Sequence, residues 1–362
     1  MKLVPIPECP FGREVCNWNA AEGDLRSELH EHGMLLFRGV HATSSWKLAE
    51  HVRRWFPSLE IKAPAANRPT DDGPVSVLGS TKDEDGRFNA DYVPAATTGA
   101  PLLAADGSWT AELEASLTDW IQRKRECAFM EWHTDATFVP WPTSYAALYC
   151  MQPGSSATGF ASATLGLQHL PADLRTISEQ SICTYRPSII YGNAELGIPA
   201  IASRSVQLAA TRSGAGALPA TEKDGNLETS RHPADPVVRH KLVQVHPHTG
   251  ERSLRFSLKS LETLSLPHDA GHGDMAPTEG KRTAWQIMRH ATCGEQAYLH
   301  RWRQGDLIIW DERSSMHCRV PYDAQNEIRE MWRMVFRNDP ADRAFNAATP
   351  QLNLDAAFAA AQ

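Results

Sequence analysis

The chain has 362 residues, of which 42% are hydrophobic and 22% are charged, and its net charge is −7 at pH 7. This length can hold one large domain or two modest ones, with a sizeable core. Because no excess of basic charge is available to neutralise phosphates, we expect neither nucleic acid nor a membrane as a partner, and a small molecule is the expected ligand. Prolines at positions 5 and 7 interrupt any signal-peptide core, so we expect a cytoplasmic protein.

The first 80 residues predict scaffold elements. A polar, helical pattern begins at Asp24 and is broken by Gly33, after which residues 34–39 form a short apolar run typical of a strand. Ser44 can cap a second helix that extends to about Phe56. A further short strand is predicted at residues 74–79.

The rest of the chain alternates short apolar runs with turn residues. Many short strands separated by turns are typical of a β-barrel or jelly roll. Two helical patterns, at residues 170–179 and 283–291, should pack outside it. We expect the strands at residues 145–151, 181–185, 242–245, 253–258, 307–310 and 331–336.

Two polar segments interrupt this pattern, at about residues 80–128 and 203–236. The first contains one amphipathic helical stretch and lies just before a His-x-Asp triplet, so we expect either a lid over a site or a plain surface excursion. The second is rich in Ala, Gly, Ser and Thr.

The His-x-Asp triplet at His133 and Asp135 carries the first chemical signal. Two residues apart on an extended segment, the side chains project to the same side and can reach one metal ion. With 15 histidines in the chain, about one such triplet is expected by chance, and a second does occur at His272 and Asp274. Because the second lies among glycines without an apolar flank, we expect a solvated loop there. By itself, the first triplet is better explained as a histidine and an aspartate hydrogen-bonded to each other in a sheet.

His317 is the candidate third ligand. It follows a turn, an apolar strand and a polar bend within residues 305–316, which can return an imidazole to the mouth of a barrel. Two imidazoles and one carboxylate on one face of an octahedron leave the opposite positions open, as in non-haem Fe(II) oxygenases.

Arg333 lies 16 positions beyond His317 on a predicted strand, where alternation separates it from Trp332 and Met334. An arginine that faces a barrel interior needs an anion. The distal carboxylate of an iron-bound 2-oxo diacid would supply one. A salt bridge to Asp306 or Asp311 is the alternative, and the two stay open on the residues alone.

Four segments in order resemble the taurine dioxygenase/TfdA-like family of Fe(II)- and 2-oxoglutarate-dependent oxygenases. Together they are far more specific than one triplet. They are residues 31–39 (EHGMLLFRG), 132–138 (WHTDATF), 246–254 (HPHTGERSL) and 300–313 (HRWRQGDLIIWDER), the last followed by His317 and Arg333.

The resemblance implies a mainly β fold with flanking helices and a double-stranded β-helix (jelly-roll, cupin-like) core, as one domain over residues 1–362. It also implies iron bound by His133, Asp135 and His317, with Arg333 binding 2-oxoglutarate. Thr158 falls where the family places a threonine that touches the same cosubstrate, although the preceding Gly-Ser-Ser-Ala departs from the usual pattern.

The activity implied by the resemblance is oxidation of an unactivated C–H bond of a small organic substrate, with O2 consumed and succinate and CO2 released. Hydroxylation, desaturation and cyclisation share these residues, whereas the carboxylate at Asp135 argues against halogenation. A cupin-like isomerase or hydrolase with the same ligands, and a non-catalytic binding protein on the same barrel, stay open as alternatives, as does a homo-oligomeric state.

Overall fold

The fold is described by a computed structural model, which covers residues 2–20, 23–62, 73–82, 88–90, 132–137, 142–155, 157–185, 238–258, 261–268, 271–319, 327–337, 339 and 341. This part of the chain forms eighteen strands and five α-helices. The strands are β1 (Lys2–Pro5), β2 (Arg13–Cys16), β3 (Met34–Phe37), β4 (Ile61–Lys62), β5 (Ser76–Lys82), β6 (Phe88–Ala90), β7 (Tyr145–Gln152), β8 (Ala157–Ser162), β9 (Ile182–Tyr185), β10 (Val238–Lys241), β11 (Val243–Val245), β12 (Arg252–Leu254), β13 (Leu261–His268), β14 (Gly271–Asp274), β15 (Ala297–Arg301), β16 (Leu307–Asp311), β17 (Ser315–Arg319) and β18 (Arg329–Phe336). The helices are α1 (Arg26–His32), α2 (Ser45–Trp55), α3 (Ala163–Gln168), α4 (Ala172–Gln180) and α5 (Pro277–Ala291).

The largest sheet has nine strands in the order β1-β2-β3-β16-β7-β18-β5-β6, and β4 pairs with the end of β18. Its pairs are antiparallel apart from β2 with β3. The order brings strands from distant parts of the chain together, so that Arg333 on β18 lies opposite Leu148 on β7.

A second sheet, β15-β8-β17, packs against the large one. The two sheets share an apolar layer that includes Leu148, Phe160, Trp310 and Met331. Such face-to-face antiparallel sheets make a jelly roll. The prediction of a mainly β fold with a double-stranded β-helix core and flanking helices is therefore confirmed.

Helices cover the outer faces of both sheets. The side chains of Leu48, Val52 and Trp55 on α2 pack on the large sheet, while Leu167 on α3 and Met288 on α5 pack in a cluster behind β8, β9 and β13. Full burial of such a large apolar side chain stabilises the fold by about 1.5–3 kcal/mol. The packing of these helices therefore fixes the strands that carry the candidate site.

The helix boundaries follow from local sequence. α1 ends at Gly33, which adopts the left-handed conformation at φ +70° that glycine tolerates best. The Ser44 hydroxyl accepts a hydrogen bond from the backbone N–H of Lys47 at 3.2 Å and caps α2. Both predicted boundaries are confirmed.

Other predictions need correction. Residues 271–274 form β14, paired with β13, rather than a loop, because their backbone groups complete a hairpin whatever the glycine content. Helix α5 begins at Pro277, earlier than predicted, since proline suits the first helical turn. The segment predicted as an excursion from residue 80 begins as a hairpin, in which β5 continues to Lys82 and pairs with β6.

The remainder of the first predicted insertion and all of the second lie outside the described residues, so the prediction of a lid at about 80–128 stays untested. None of the five helices described is both long and apolar enough to cross a membrane.

Candidate metal centre

His133 lies between two other segments of chain. Its backbone N–H donates to the carbonyl of His317 at 2.9 Å, and the N–H of His317 donates back at 3.0 Å, while a second bridge joins His133 to Ser257. The predicted strand is thus reduced to isolated bridges. The ladder stops because the backbone N–H of Asp135 bonds to the Glu312 side chain, at 2.9 Å, and Ala136 turns the chain at φ +57°.

Three candidate ligand atoms converge at this position. Asp135 Oδ1 lies 3.5 Å from His133 Nε2 and 3.9 Å from His317 Nε2, and all three atoms lie within 4.8 Å of one another. Octahedral ligands at about 2.0–2.2 Å from a metal are separated by about 3 Å. The three side chains are therefore close to the spacing that a shared ion requires.

The position of His317 is fixed by β17 and by packing. In the register of β17 with β8, His317 lies opposite Phe160. The His317 ring packs against Trp310, with ring centroids 4.8 Å apart, and against Phe160 at 6.4 Å. Burial is the largest effect on this imidazole and, with the nearby His133, lowers the pKa of His317 to about 3. The imidazole is therefore neutral and can donate a lone pair.

Arg333 contacts the same carboxylate. Its Nη2 donates to Asp135 Oδ2, which leaves Oδ1 facing the histidines. Burial alone would raise the pKa of Asp135, but the Arg333 guanidinium and the two histidines hold it well below its usual range. The carboxylate is therefore ionised, as a metal ligand must be.

Arg333 faces the barrel interior, as the strand alternation predicts, since Met331 on the same face lies in the layer between the sheets. Neither acid considered as an alternative partner is the one it contacts. Asp306 pairs with Arg38 at 2.7 Å, and Asp311 pairs with Arg313 at 2.6 Å. The contact with Asp135 was not anticipated from the sequence.

Glu312 is a functional candidate that sequence reasoning missed. It is fully buried; one oxygen accepts from Asp135 N–H and the other from Trp310 Nε1 at 2.7 Å. Burial, together with the Asp135 carboxylate, raises the pKa of Glu312 well above its usual range. Its position directly after the Trp310–Asp311 strand end was the only available signal.

Glu312 also stands behind the third ligand. Its Oε1 lies 3.9 Å from His317 Nδ1, a buried nitrogen with no hydrogen-bond partner in the described part of the chain. Histidines that bind metals usually give their second nitrogen to a carboxyl group or a carbonyl. A ligand set of two neutral imidazoles and one carboxylate, with such a group beside it, fits a non-haem iron centre.

Thr158 also faces the layer between the sheets. It is 3% exposed on β8, two residues from Phe160, and its hydroxyl accepts from Trp302 Nε1 at 2.9 Å. The hydroxyl proton remains available to an incoming acceptor. A second arginine, Arg329, is 2% exposed and lies four residues before Arg333 on the same face of β18. The sequence analysis did not single it out.

Comparisons with known proteins show what this chain is similar to. A family model for the taurine catabolism dioxygenase TauD, TfdA family matches residues 10–335. A (S)-phenoxypropionate/alpha-ketoglutarate-dioxygenase of Sphingobium herbicidovorans is 28% identical over 214 residues, which are 59% of this chain and 63% of that protein. An alpha-ketoglutarate-dependent 2,4-dichlorophenoxyacetate dioxygenase of Cupriavidus pinatubonensis is 31% identical over 108 residues, 29% of this chain and 34% of that one.

The match to the first of these relatives spans less than two thirds of its length. Among solved structures, AAD-2 in complex with Mn(II) and N-oxalylglycine superposes with a TM-score of 0.55 at 17% identity, covering 94% of this chain and 99% of that chain. At this identity the likeness concerns the fold, and it extends over almost the whole chain.

Proposed function

Because the chain belongs to the taurine catabolism dioxygenase TauD, TfdA family, we propose that it is an Fe(II)- and 2-oxoglutarate-dependent dioxygenase with iron bound by His133, Asp135 and His317. The observation that carries the proposal is the convergence of His133 Nε2, His317 Nε2 and Asp135 Oδ1 within 4.8 Å. Two imidazoles and a carboxylate on one side leave the opposite coordination positions open to other ligands.

The chain's own side chains hold and orient these ligands. Arg333 binds the second oxygen of Asp135, and Glu312 binds its backbone N–H, so both the direction and the charge of the carboxylate are set before any ion arrives. Bound Fe(II), 2-oxoglutarate and dioxygen would supply the oxidising power that protein side chains lack. The protein's part is to position one C–H bond and to exclude water.

For the cosubstrate we propose that Arg333 binds the distal carboxylate of 2-oxoglutarate, with the hydroxyl of Thr158 as a further donor. Guanidinium binds carboxylates through two parallel hydrogen bonds, and both residues face the layer between the sheets. Arg329 on the same face of β18 is the competing partner. Parallel substitution of the two arginines, described below, separates them.

We further propose that the substrate is a small organic anion. Arg329 and Arg333 lie on one interior face of β18, and a guanidinium is well suited to binding a carboxylate. The relatives named above act on phenoxypropionate and 2,4-dichlorophenoxyacetate, both carboxylates. Hydroxylation, desaturation and cyclisation would all use the same metal ligands.

Anaerobic titration tests the metal and the cosubstrate. Fe(II) followed by 2-oxoglutarate should produce a visible charge-transfer absorption that is absent with Fe(II) alone. If another divalent ion supports turnover without O2 or 2-oxoglutarate, the isomerase or hydrolase alternative replaces the proposal. If no metal binds at this centre, the protein is a binding module on the same barrel.

A screen for succinate release tests the substrate class. Phenoxyalkanoic acids should stimulate succinate formation, while their neutral methyl esters, of nearly the same shape, should not. Equal stimulation by acid and ester would contradict an anionic substrate while leaving the dioxygenase proposal intact.

A further inference from the structure

A second group of histidines and aspartates lies away from the metal centre. It brings together His30 on α1, His248 in the turn between β11 and β12, and Asp339 after β18. One ligand atom from each lies within 4.8 Å of the other two. The rings of His30 and His248 stack with centroids 4.3 Å apart.

The neighbouring His246 has a different role. Its Nε2 is 3.0 Å from Asp311 Oδ2, and its Nδ1 accepts the backbone N–H groups of His248 and Thr249 at 3.2 and 3.1 Å. Both nitrogens are therefore used in hydrogen bonds that shape the hairpin turn. The candidate ligands are therefore His30, His248 and Asp339, which lie next to His246.

We propose that His30, His248 and Asp339 form a second divalent metal site, of the Zn(II) class, that joins α1, the β11–β12 hairpin and the segment after β18. Two imidazoles and one carboxylate suit Zn(II), which is usually four-coordinate. The hydroxyl of Tyr145 lies 2.6 Å from His30 Nε2 and 3.3 Å from Asp339 Oδ2, close enough to be a fourth ligand. Water could take that position instead.

The spacing of the donors suits this geometry. His248 Nε2 lies 2.5 Å from Asp339 Oδ2, a distance bridged by a proton in the absence of a metal. Around a tetrahedral ion with bonds of about 2.0–2.1 Å, neighbouring ligands are about 3.3 Å apart. The donors need to separate by about 1 Å, and the His248 ring, which now stacks on that of His30 at 13° between planes, must turn so that both lone pairs point at one ion. His248 lies in an exposed turn, where this rotation meets little resistance.

The local charge favours a cation. Arg313 lies 3.3 Å from Asp339 and would repel a metal, but its guanidinium already pairs with Asp311 through two hydrogen bonds at 2.6 and 2.8 Å. The Asp339 carboxylate is thus left with a net negative charge beside His30 and His248.

An ion can reach the cluster from outside. A cavity of about 630 Å³ is lined by both histidines of the site together with Asp24, Glu31 and Glu251, whose acidic groups outnumber its one arginine, Arg26. Acidic linings raise the local concentration of cations.

Metal stoichiometry tests the proposal. Tag-free protein is stripped with a chelator, dialysed against Zn(II), and the bound metal per chain is counted, with Co(II) as a spectroscopic probe. We expect two equivalents in the wild type, one in His248→Ala, one in the double variant His133→Ala/Asp135→Ala, and none when all three changes are combined. If His248→Ala does not fold, the number of metal ions bound by Asp339→Asn is measured in its place.

The matched control is His32→Ala. His32 lies on α1 with Glu28 and Glu31, in a further cluster that could bind metal weakly at the surface. It should retain both equivalents. Because a metal shared by three distant segments binds only the folded chain, Zn(II) should also raise the melting temperature of the double variant by several degrees, and not that of the triple variant.

Two results would overturn the inference: two equivalents retained in His248→Ala, or no metal bound by the double variant. Loss of the second equivalent in His32→Ala would assign it to the surface cluster instead. Since the first site is counted separately in this set, failure here leaves the proposed iron centre unaffected.

Discussion

The two histidine–aspartate clusters contain the same ligand types, but their donor atoms are spaced differently. At the first, Asp135 Oδ1 stands 3.5 and 3.9 Å from the two imidazole nitrogens, and other groups hold its second oxygen and its backbone N–H. At the second, His248 and Asp339 are in direct hydrogen-bond contact at 2.5 Å. The donor atoms of the first cluster are far enough apart to share an ion, whereas in the second cluster a hydrogen bond holds His248 against Asp339.

The difference shows how surroundings, rather than ligand identity, set the function of a cluster. Arg333 and Glu312 hold Asp135 from behind and direct one oxygen towards the histidines. Arg313 Nη1 and the Ala341 N–H also contact Asp339, at 3.3 and 3.0 Å, yet they leave its Oδ2 in direct contact with His248 Nε2. A metal at the second cluster must therefore displace a proton, and its affinity should fall more steeply as the pH is lowered.

The largest effect should come from the ligands of the first cluster. His133→Ala or Asp135→Ala removes one of three donors, and we expect turnover to fall by more than the roughly 10–100-fold seen when an outer partner of a metal ligand is lost. Succinate release and Fe(II) binding provide the measurement. His272→Ala, in the second His-x-Asp triplet, is the control and should retain activity.

The arginines on β18 should give the next largest effect. Arg333→Lys keeps the charge but loses the planar pair of donors, so we expect the KM for 2-oxoglutarate to rise about tenfold to a hundredfold with a smaller change in kcat. The same measurement on Arg329→Lys is the comparison. If only Arg329→Lys raises that KM, the assignment of the distal carboxylate moves to Arg329.

Substitutions of Glu312 test whether its hydrogen bond to the Asp135 N–H is what distinguishes the two clusters. Glu312→Gln keeps one carbonyl acceptor but turns an NH2 group towards the other N–H donor, so we expect Fe(II) affinity to fall less than in Glu312→Ala. Glu312→Ala leaves the Asp135 N–H and Trp310 Nε1 without that acceptor, and we expect Fe(II) affinity to fall about 10–100-fold. Equal losses in both variants would mean that the negative charge matters instead.

The smallest effect concerns acid stability at the second cluster. Burial alone would raise the pKa of Asp339, but the Ala341 N–H, His248 and Arg313 lower it to about 2. A carboxyl with a lowered pKa contributes stability that is present above its unfolded value, near 4, and is lost as the pH falls towards 2.

We therefore expect metal-free Asp339→Asn to be less stable than the wild type by about 1–2 kcal/mol at pH 6, with the gap closing between pH 4 and 2. Denaturant unfolding at a series of pH values measures this. A gap that stays constant across the series would assign the loss to packing rather than to ionisation.

Much of the fold could be predicted because its signals are local. The apolar runs at residues 307–310 and 331–336 lie within β16 and β18, and Ser44 and Gly33 mark helix ends. The short strands β8, β15 and β17 were not predicted, although two of them carry Thr158 and His317. Their sequences, ATGFAS, AYLHR and SMHCR, mix apolar, small and polar residues without a clear alternation, so their strand character depends on pairing with each other.

At the candidate centre, the sequence proposed the three ligands but not the groups that orient them. Glu312 is separated from Asp135 by 177 positions, and Arg333 by 198. No periodic pattern connects residues so far apart, and the burial and raised pKa of Glu312 arise only from its place beside Asp135.

By itself, the sequence determined the mainly β architecture and the order of ligand types, because alternating apolar residues and turn residues act over a few positions. Only the tertiary structure decided that Arg333 meets Asp135, that Glu312 stands behind His317, and that His30, His248 and Asp339 gather beside a cavity. These contacts depend on how sheets and helices pack, and charge and hydrogen-bond effects between distant residues appear only once packing has excluded water from between them.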